Sequence, residues 1–418
     1  MKEGFQIFSL NIFSQRRYIA FCYWASTFCE GASRIILPLY LSTIGISTSK
    51  IAIIFVFYEF FGLLTNMYSG FFINRFGYKK AFIVSLFFHT IASFGYLFLF
   101  QGPVIFTAIT INILRSLRGI GKELIKTTSS AYFRHLSENH LHPHYLLGGK
   151  DFLKGIGLLG GSILLFYLGF HLSFGFLGIL TFLCLILAKG VLKDHKEIKQ
   201  ISFSGFFKVN HNLMILAIIR ASLYAGRDLW LVIPIPIYLQ SIGMSKIMIG
   251  TVLACGLMVF GTVQPLAGFF VKSRLYIRSF VIKSKWYYED IIAVSSFFLL
   301  LVPLGMYFLK TNFLAVFLLV ITYNIFAGLA TAPHNYLHLR LANKERASID
   351  IAFYKTISQF GKVIAVFSSG FLYDSYGISG CLLASIGCLF VSGILGAILS
   401  NKVHRDKIKK IKDMSLSK

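Results

Sequence analysis

The chain has 418 residues, 56% of them hydrophobic and only 14% charged, yet its formal net charge is +25. A soluble domain keeps about a quarter of its residues charged, so this chain has too little polar surface to cover a globule in water. Its mean hydropathy of +0.72 points to lipid as the solvent. In a soluble protein the basic excess would suggest nucleic acid. Here Lys and Arg sit between long apolar runs, where they act as a topology signal, and nucleic acid is not expected as a partner.

Met1–Arg17 shows no cleavable signal peptide and reads as a short surface helix with Phe5, Phe8, Ile12 and Phe13 toward lipid. Apolar runs long enough to span a bilayer follow near 18–43, 50–73, 80–101, 103–125, 149–170 and 172–191. A second set lies near 212–240, 246–271, 289–309, 312–338, 351–373 and 378–401. The polar stretch Lys193–Asn212 separates the sets. The expected fold is an all-α membrane protein of twelve transmembrane helices in two pseudo-symmetric six-helix bundles. Its parts are residues 1–192, a cytoplasmic linker 193–211, residues 212–401 and a basic cytoplasmic tail 402–418.

Loop charges alternate. One side receives Arg16, Arg17, Arg75, Lys79, Lys80, Arg134, the central lysines, Arg274, Arg278, Lys283, Lys285, Lys344, Arg346 and the tail; the other receives only Lys50, Lys246 and Lys310. The positive-inside rule then puts both termini in the cytoplasm and the chain in the cell inner membrane as a multi-pass protein.

The two sets resemble each other at a fixed offset. Pro38-Leu-Tyr-Leu-Ser-Thr-Ile-Gly45 echoes Pro236-Ile-Tyr-Leu-Gln-Ser-Ile-Gly243, and 236 − 38 = 198. The same offset carries Ser69–Phe72 onto Ala267–Phe270 and Glu30 onto Asp228. Internal repeats of this kind mark secondary transporters that rock about a midplane site.

Between the second and third runs, Gly70, Asn74, Arg75, Gly77, Lys79 and Lys80 form a pattern that resembles the loop signature of the major facilitator superfamily, with Asn74 where that signature usually has Asp. In a narrower way Tyr58–Asn66, Gly119–Lys126 with Lys150–Gly157, and Ala225–Val232 resemble the organoarsenical efflux permeases of that superfamily. The resemblance implies a twelve-helix fold, a gating role for the 70–80 loop, and export of a phosphorylated glycerate-like anion carrying arsenic. It also implies that helices 3, 6, 9 and 12 are peripheral and that the others line a cavity. Gly155–Gly161 resembles the glycine-rich helix 5 signature of exporters without its proline; its physical content is close helix packing.

A charge at the bilayer centre costs about 2.5–3.5 kcal/mol on insertion scales, so each needs a reason. Helices 3, 6, 9 and 12 carry almost none, and helices 1, 2, 4, 5, 7 and 11 carry nearly all. Arg34, Arg115, Arg227 and Lys362 lie deepest, with Arg118 one turn from Arg115 and Arg220 seven residues before Arg227. These cations outnumber the deep carboxylates Glu30, Glu59 and Asp228. Arg34, Arg115, Arg118, Arg227 and Lys362 are therefore expected to bind a small anionic substrate, and Glu30, Glu59 and Asp228 to carry protons or to form fixed ion pairs. Arg227 and Asp228 are adjacent, which turns their side chains apart on a helix. Lys122, Lys126, Lys150 and Lys355 lie nearer the ends, where a long side chain snorkels to the interface.

His140, His142 and His144 read as solvated loop histidines rather than metal ligands, and the cysteines form no CxxC pair. No Ser/His/Asp set or appended soluble domain supports a membrane enzyme or scaffold. The expectation is a cofactor-free, monomeric, proton-coupled exporter of a multiply charged organic anion. The alternative is a carrier, in either direction, of a polycarboxylate such as a siderophore.

The topology is directly testable. A single cysteine placed within 193–211 should react with a membrane-impermeant maleimide only after the membrane is broken; labelling of intact cells would overturn the assignment.

Overall fold

A computed structural model describes residues 2–99, 104–135, 149–193, 209–277, 288–342 and 347–416. The first half contains α1 (Lys2–Thr43), α2 (Thr48–Phe76), α3 (Tyr78–Leu97), α4 (Val104–His135), α5 (Lys150–Tyr167) and α6 (Gly169–Val191). The second contains α7 (His211–Leu231), α8 (Pro234–Ser241), α9 (Lys246–Ile277), α10 (Tyr288–Leu309) and α11 (Phe313–Leu341). A last helical stretch is broken at Gly377, whose φ of 63° and ψ of −163° leave the helical region, giving α12 (347–376) and α13 (378–416). With α7 and α8 counted as one broken span, the described residues hold twelve helical spans, six in each half, in the order of the apolar runs. One expectation is corrected: the N-terminal segment is not a separate surface helix but runs unbroken into α1. Most of the linker and the 140–144 histidines lie outside the described residues.

Seven helical segments are long and apolar enough to cross a membrane by length and composition alone. α1, α4, α5 and α7 are not among them, and these are helices that carry the buried charges described below. The peripheral helices show the opposite character. On α6, Leu172, Phe176, Ile179, Leu183 and Ile186 are all exposed at alternating spacings of four and three, an apolar stripe that only a lipid surroundings satisfies.

The duplication is visible bond by bond. Where α1 ends, Ile46 N–H donates to Leu41 O at 3.0 Å and Gly45 N–H to Ser42 O at 3.1 Å. Where α8 ends, Met244 N–H donates to Leu239 O at 3.1 Å and Gly243 N–H to Gln240 O at 3.0 Å. Each residue is displaced by 198 from its counterpart. Both are Schellman turns, and Gly45 and Gly243 have φ of 78° and 86°, a conformation that costs glycine nothing. The repeat is not perfect. Pro38 is accommodated inside an unbroken α1, whereas the chain breaks at Val232–Ile233. Pro234 explains this: it stands where the first half has Ile36, and with Pro236 it removes a second donor from the ladder.

Packing repeats as well. α1 packs on α5 as α7 packs on α12, α3 on α6 as α10 on α13, and α2 on α4 as α9 on α11. The halves meet where α2 faces α12 and α5 faces α9. At the first pair of contacts the backbones touch: a Cβ on Gly157 would lie 2.3 Å from Phe28 O, and one on Gly361 would lie 2.4 Å from Ala221 O. The face near Lys50 is closed by a cap in trans. Asp374 of α12 accepts from Thr48 N–H at 3.1 Å and from Ser49 N–H at 2.8 Å, while the N-cap residue Ser47 makes no side-chain cap of its own.

Gly157→Val should force α1 and α5 apart and destabilise the fold by roughly 1–3 kcal/mol. Thermal unfolding in detergent is the measurement, with Gly387→Ala, which meets nothing within 4 Å, as control. An unshifted Gly157→Val midpoint would contradict the contact.

Candidate functional site

The charged residues of α1, α2, α4 and α5 converge in the first half. Arg34 lies at the centre. Its Nε is 3.2 Å from Glu30 Oε1, one turn back on the same face, and its Nη2 donates to Glu59 Oε1 of α2 at 2.9 Å. Lys154 of α5 donates to Glu30 Oε1 at 2.6 Å. Lys122 of α4 lies 3.5 Å from Glu59 Oε2 and 3.3 Å from Glu123 Oε1, and Lys126 reaches Glu123 Oε2 at 2.7 Å. Within this network four cations (Arg34, Lys122, Lys126, Lys154) meet three carboxylates (Glu30, Glu59, Glu123).

Two expectations change here. Arg34 is not a free cation awaiting a ligand, because two carboxylates already hold it. Lys122 does not snorkel to the interface, because Glu59 and Glu123 draw it inward. The sequence reasoning missed Glu123, whose side chain is 1% exposed. Its signal was available: it is an acid embedded in the basic stripe of α4, three residues before Lys126.

The same network reaches across to the second half. Gln359 of α12 places Nε2 3.4 Å from both Glu59 Oε2 and Glu123 Oε1, and its Oε1 accepts from Asn66 Nδ2 at 3.3 Å. Gln359 was also missed. A neutral amide carries no charge-pattern signal, and its partners lie 236 to 300 residues away.

In the second half the balance is different. Arg220, Tyr224 and Arg227 occupy successive turns of α7. Arg220 Cζ lies 4.5 Å from the Tyr224 ring centroid, Arg227 Cζ 5.1 Å, and Lys362 Nζ of α12 4.2 Å. Arg220 also donates to Tyr224 Oη at 2.9 Å and to Thr331 Oγ1 of α11 at 3.2 Å. The carboxylate seen beside these cations is Asp228, which accepts from Arg227 Nε at 2.6 Å. That pair corrects the expectation that adjacent residues point apart, since an arginine is long enough to swing sideways to its neighbour. A cavity of about 20 Å³ adjoins the cluster, lined by Arg220, Tyr224, Arg227, Phe260, Tyr323 and Thr331, with room for about one water.

The first half has a matching arrangement around Tyr58. Arg115 Cζ is 4.4 Å from its ring centroid, Lys122 Nζ 4.6 Å and Arg34 Cζ 5.4 Å. Arg118 stands apart, holding α4 to its neighbours through Ser93 Oγ at 3.1 Å and Cys29 O at 2.6 Å. In the 70–80 loop, α2 ends at Phe76 and Gly77, with φ of 86°, caps it by donating to Ile73 O at 2.8 Å. Arg75 is exposed beside Phe76, Gly70 and Asn74 are half-buried in α2, and Lys79 and Lys80 lie in the first turn of α3. The loop stands apart from the ion-pair network. Among the described residues no cluster of His, Cys, Asp and Glu is arranged to hold a metal.

A duplicated helical bundle with buried charge on its inner helices is the architecture of a membrane transporter. The sequence model of the Major Facilitator Superfamily matches residues 19–366, and the chain belongs to that family. No curated protein matches it. Among solved structures, a D-xylose-proton symporter is similar with a TM-score of 0.69 and 14% identity, over 94% of this chain and 97% of the other. A peptide transporter, POT, is similar with a TM-score of 0.73 and 12% identity, over 94% of each chain.

Glu123→Gln should leave Lys126 without its carboxylate and Lys122 with one partner fewer. The expected loss is about 3 kcal/mol, the lower end for breaking a buried pair, because Lys122 keeps Glu59. Denaturation in detergent checks this; a loss no larger than that of Lys126→Gln, whose side chain is 29% exposed, would mean the network is not a stabilising unit.

Proposed function

We propose that the protein is a proton-coupled secondary transporter that exports a small, multiply charged organic anion of phosphorylated or organoarsenical type. The observation that carries this reading is the Tyr224 cluster, where Arg220, Arg227 and Lys362 converge on one ring and the carboxylate in ion-pair contact is Asp228, on Arg227. Like charges crowded in a low-dielectric interior repel, and an arriving anion relieves that repulsion. A carboxylate or phosphoryl group suits the guanidinium fork.

Arg227 and Lys362 are read as substrate-binding residues, with Arg220 added. Arg34 acts through its carboxylates, and Arg118 acts through the packing of α4. Glu30, Glu59 and Asp228 are read as the candidate proton carriers, since each contacts a cation whose demand changes when an anion arrives. The membrane is read as the cell inner membrane with both termini in the cytoplasm, which the loop charges support. The protein is taken to act as a monomer. The symporter among the similar structures is named for proton coupling, which favours a proton over another ion here.

Proteoliposomes with an imposed pH gradient test the whole reading, using a panel of organic anions, neutral solutes and lipophilic cations. Anions should be carried preferentially. Lys362→Gln and Arg220→Gln should each weaken anion binding by roughly 2–5 kcal/mol if the contact is fully buried, and Arg227→Lys should weaken it less. Glu30→Gln and Asp228→Asn should show at least one variant whose transport no longer follows the gradient. A preference for cations, with Lys362→Gln unaffected, would refute the anion reading.

A further inference from the structure

Arg115 has no counter-charge of its own. It is fully buried on α4, and none of its three guanidinium nitrogens has a hydrogen-bond partner. Its Cζ lies 4.1 Å from the Phe55 ring centroid and 4.4 Å from that of Tyr58. Ring contact offsets part of the charge but gives the N–H donors no strong acceptor. Among the described residues no carboxylate pairs with Arg115; the phenols Tyr96 and Tyr58 interact with it, as do the cations Arg118 and Arg34. Both phenols are buried, at 0% and 1% exposure, and both hydroxyls also lack a partner. Arg118, one turn on, is different: a serine oxygen and a backbone carbonyl occupy it.

The unpartnered groups thus include a guanidinium with five N–H donors and no acceptor, and two O–H groups able to donate. Leaving such groups buried and unmade is among the costliest arrangements a core can hold. Water satisfies the hydrogen bonds but leaves the charge. A compact anion satisfies both.

We propose that Arg115, Tyr58 and Tyr96 form an anion site in the first half, separate from the Tyr224 cluster. It takes one anionic group of halide, carboxylate or phosphoryl size, which the guanidinium and the two hydroxyls would hold. Tyr58 ties the site to the ion-pair network, because Arg34 and Lys122 lie against the same ring. The ligand is either a free inorganic anion or an anionic group of the transported molecule. The site itself does not depend on which molecule is carried.

The test uses the purified full-length protein in detergent. Thermal unfolding is followed as sodium gluconate is replaced by sodium chloride or bromide at constant ionic strength. Either halide should raise the midpoint saturably. Tyr96→Phe removes one hydroxyl without disturbing the core and should weaken the halide effect at least threefold; Arg115→Gln should weaken it more than tenfold. A second arm measures binding of 3-phosphoglycerate at low and high chloride. If chloride raises its apparent Kd in the wild type but not in Arg115→Gln, the site takes a group of the carried molecule. If its binding is indifferent to chloride while the halide shift persists, the site holds a resident inorganic anion. The proposal is overturned if no anion shifts the midpoint beyond gluconate, or if the shifts survive undiminished in Arg115→Gln and Tyr96→Phe. A halide effect in a protein that transports no organic anion would leave the site standing and remove only the transport reading.

Discussion

A charge cannot sit in a bilayer without something to answer it, and the rest of this structure follows from how each half meets that demand. The first half answers most of its charge internally, with Glu30, Glu59 and Glu123 laced between Arg34, Lys122, Lys126 and Lys154 and Arg115 left outside the network. The second half leaves its cations against an aromatic face, with Asp228 as their carboxylate. A buried ion-pair network is weak evidence for stability, since desolvation offsets much of the attraction. Its value here is geometric. It fixes four helices of one half relative to each other, and Gln359 extends that frame to α12 of the other half.

Duplication explains why the two halves are comparable and also where they diverge. The Schellman turns at Gly45 and Gly243 share both hydrogen bonds at one offset. The tyrosine clusters do not share it: Tyr58 is on α2, Tyr224 on α7. The resemblance of the clusters therefore arises from what a cavity requires, each half placing an aromatic face beneath its cations. Pro234 adds a further asymmetry by breaking the seventh span, so α7 and α8 are two short rods where α1 is one long rod.

Much of the fold was legible because lipid imposes a coarse code. Runs of about 20 apolar residues and a charge bias between loops carry most span ends to within a few residues, since both follow from bilayer thickness and the absence of water, but α1, α4, α9 and α13 extend well beyond their apolar runs. The site was legible only in part. Depth along a helix marked Arg34, Arg115 and Arg227 as unusual, but depth says nothing about partners. Glu123 passed unnoticed beside louder lysines. Asn66 and Gln359 carry no charge, and they meet only through packing between α2 and α12. The N-terminal segment misled because an amphipathic stretch and the start of a long helix share the same apolar spacing.

The Asp374 cap on α2 ties a local helix property to the global state of the molecule. An N-cap is worth about 1 kcal/mol, about fivefold in an equilibrium constant. This one is supplied by the opposite half, so it exists only while α2 and α12 meet at that face. Ser47 makes no side-chain cap in its place. The bonds from Thr48 and Ser49 therefore weight the resting population toward closure at the Lys50 side before any ligand binds. A cargo that opens that side must bring a differential affinity larger than this bias.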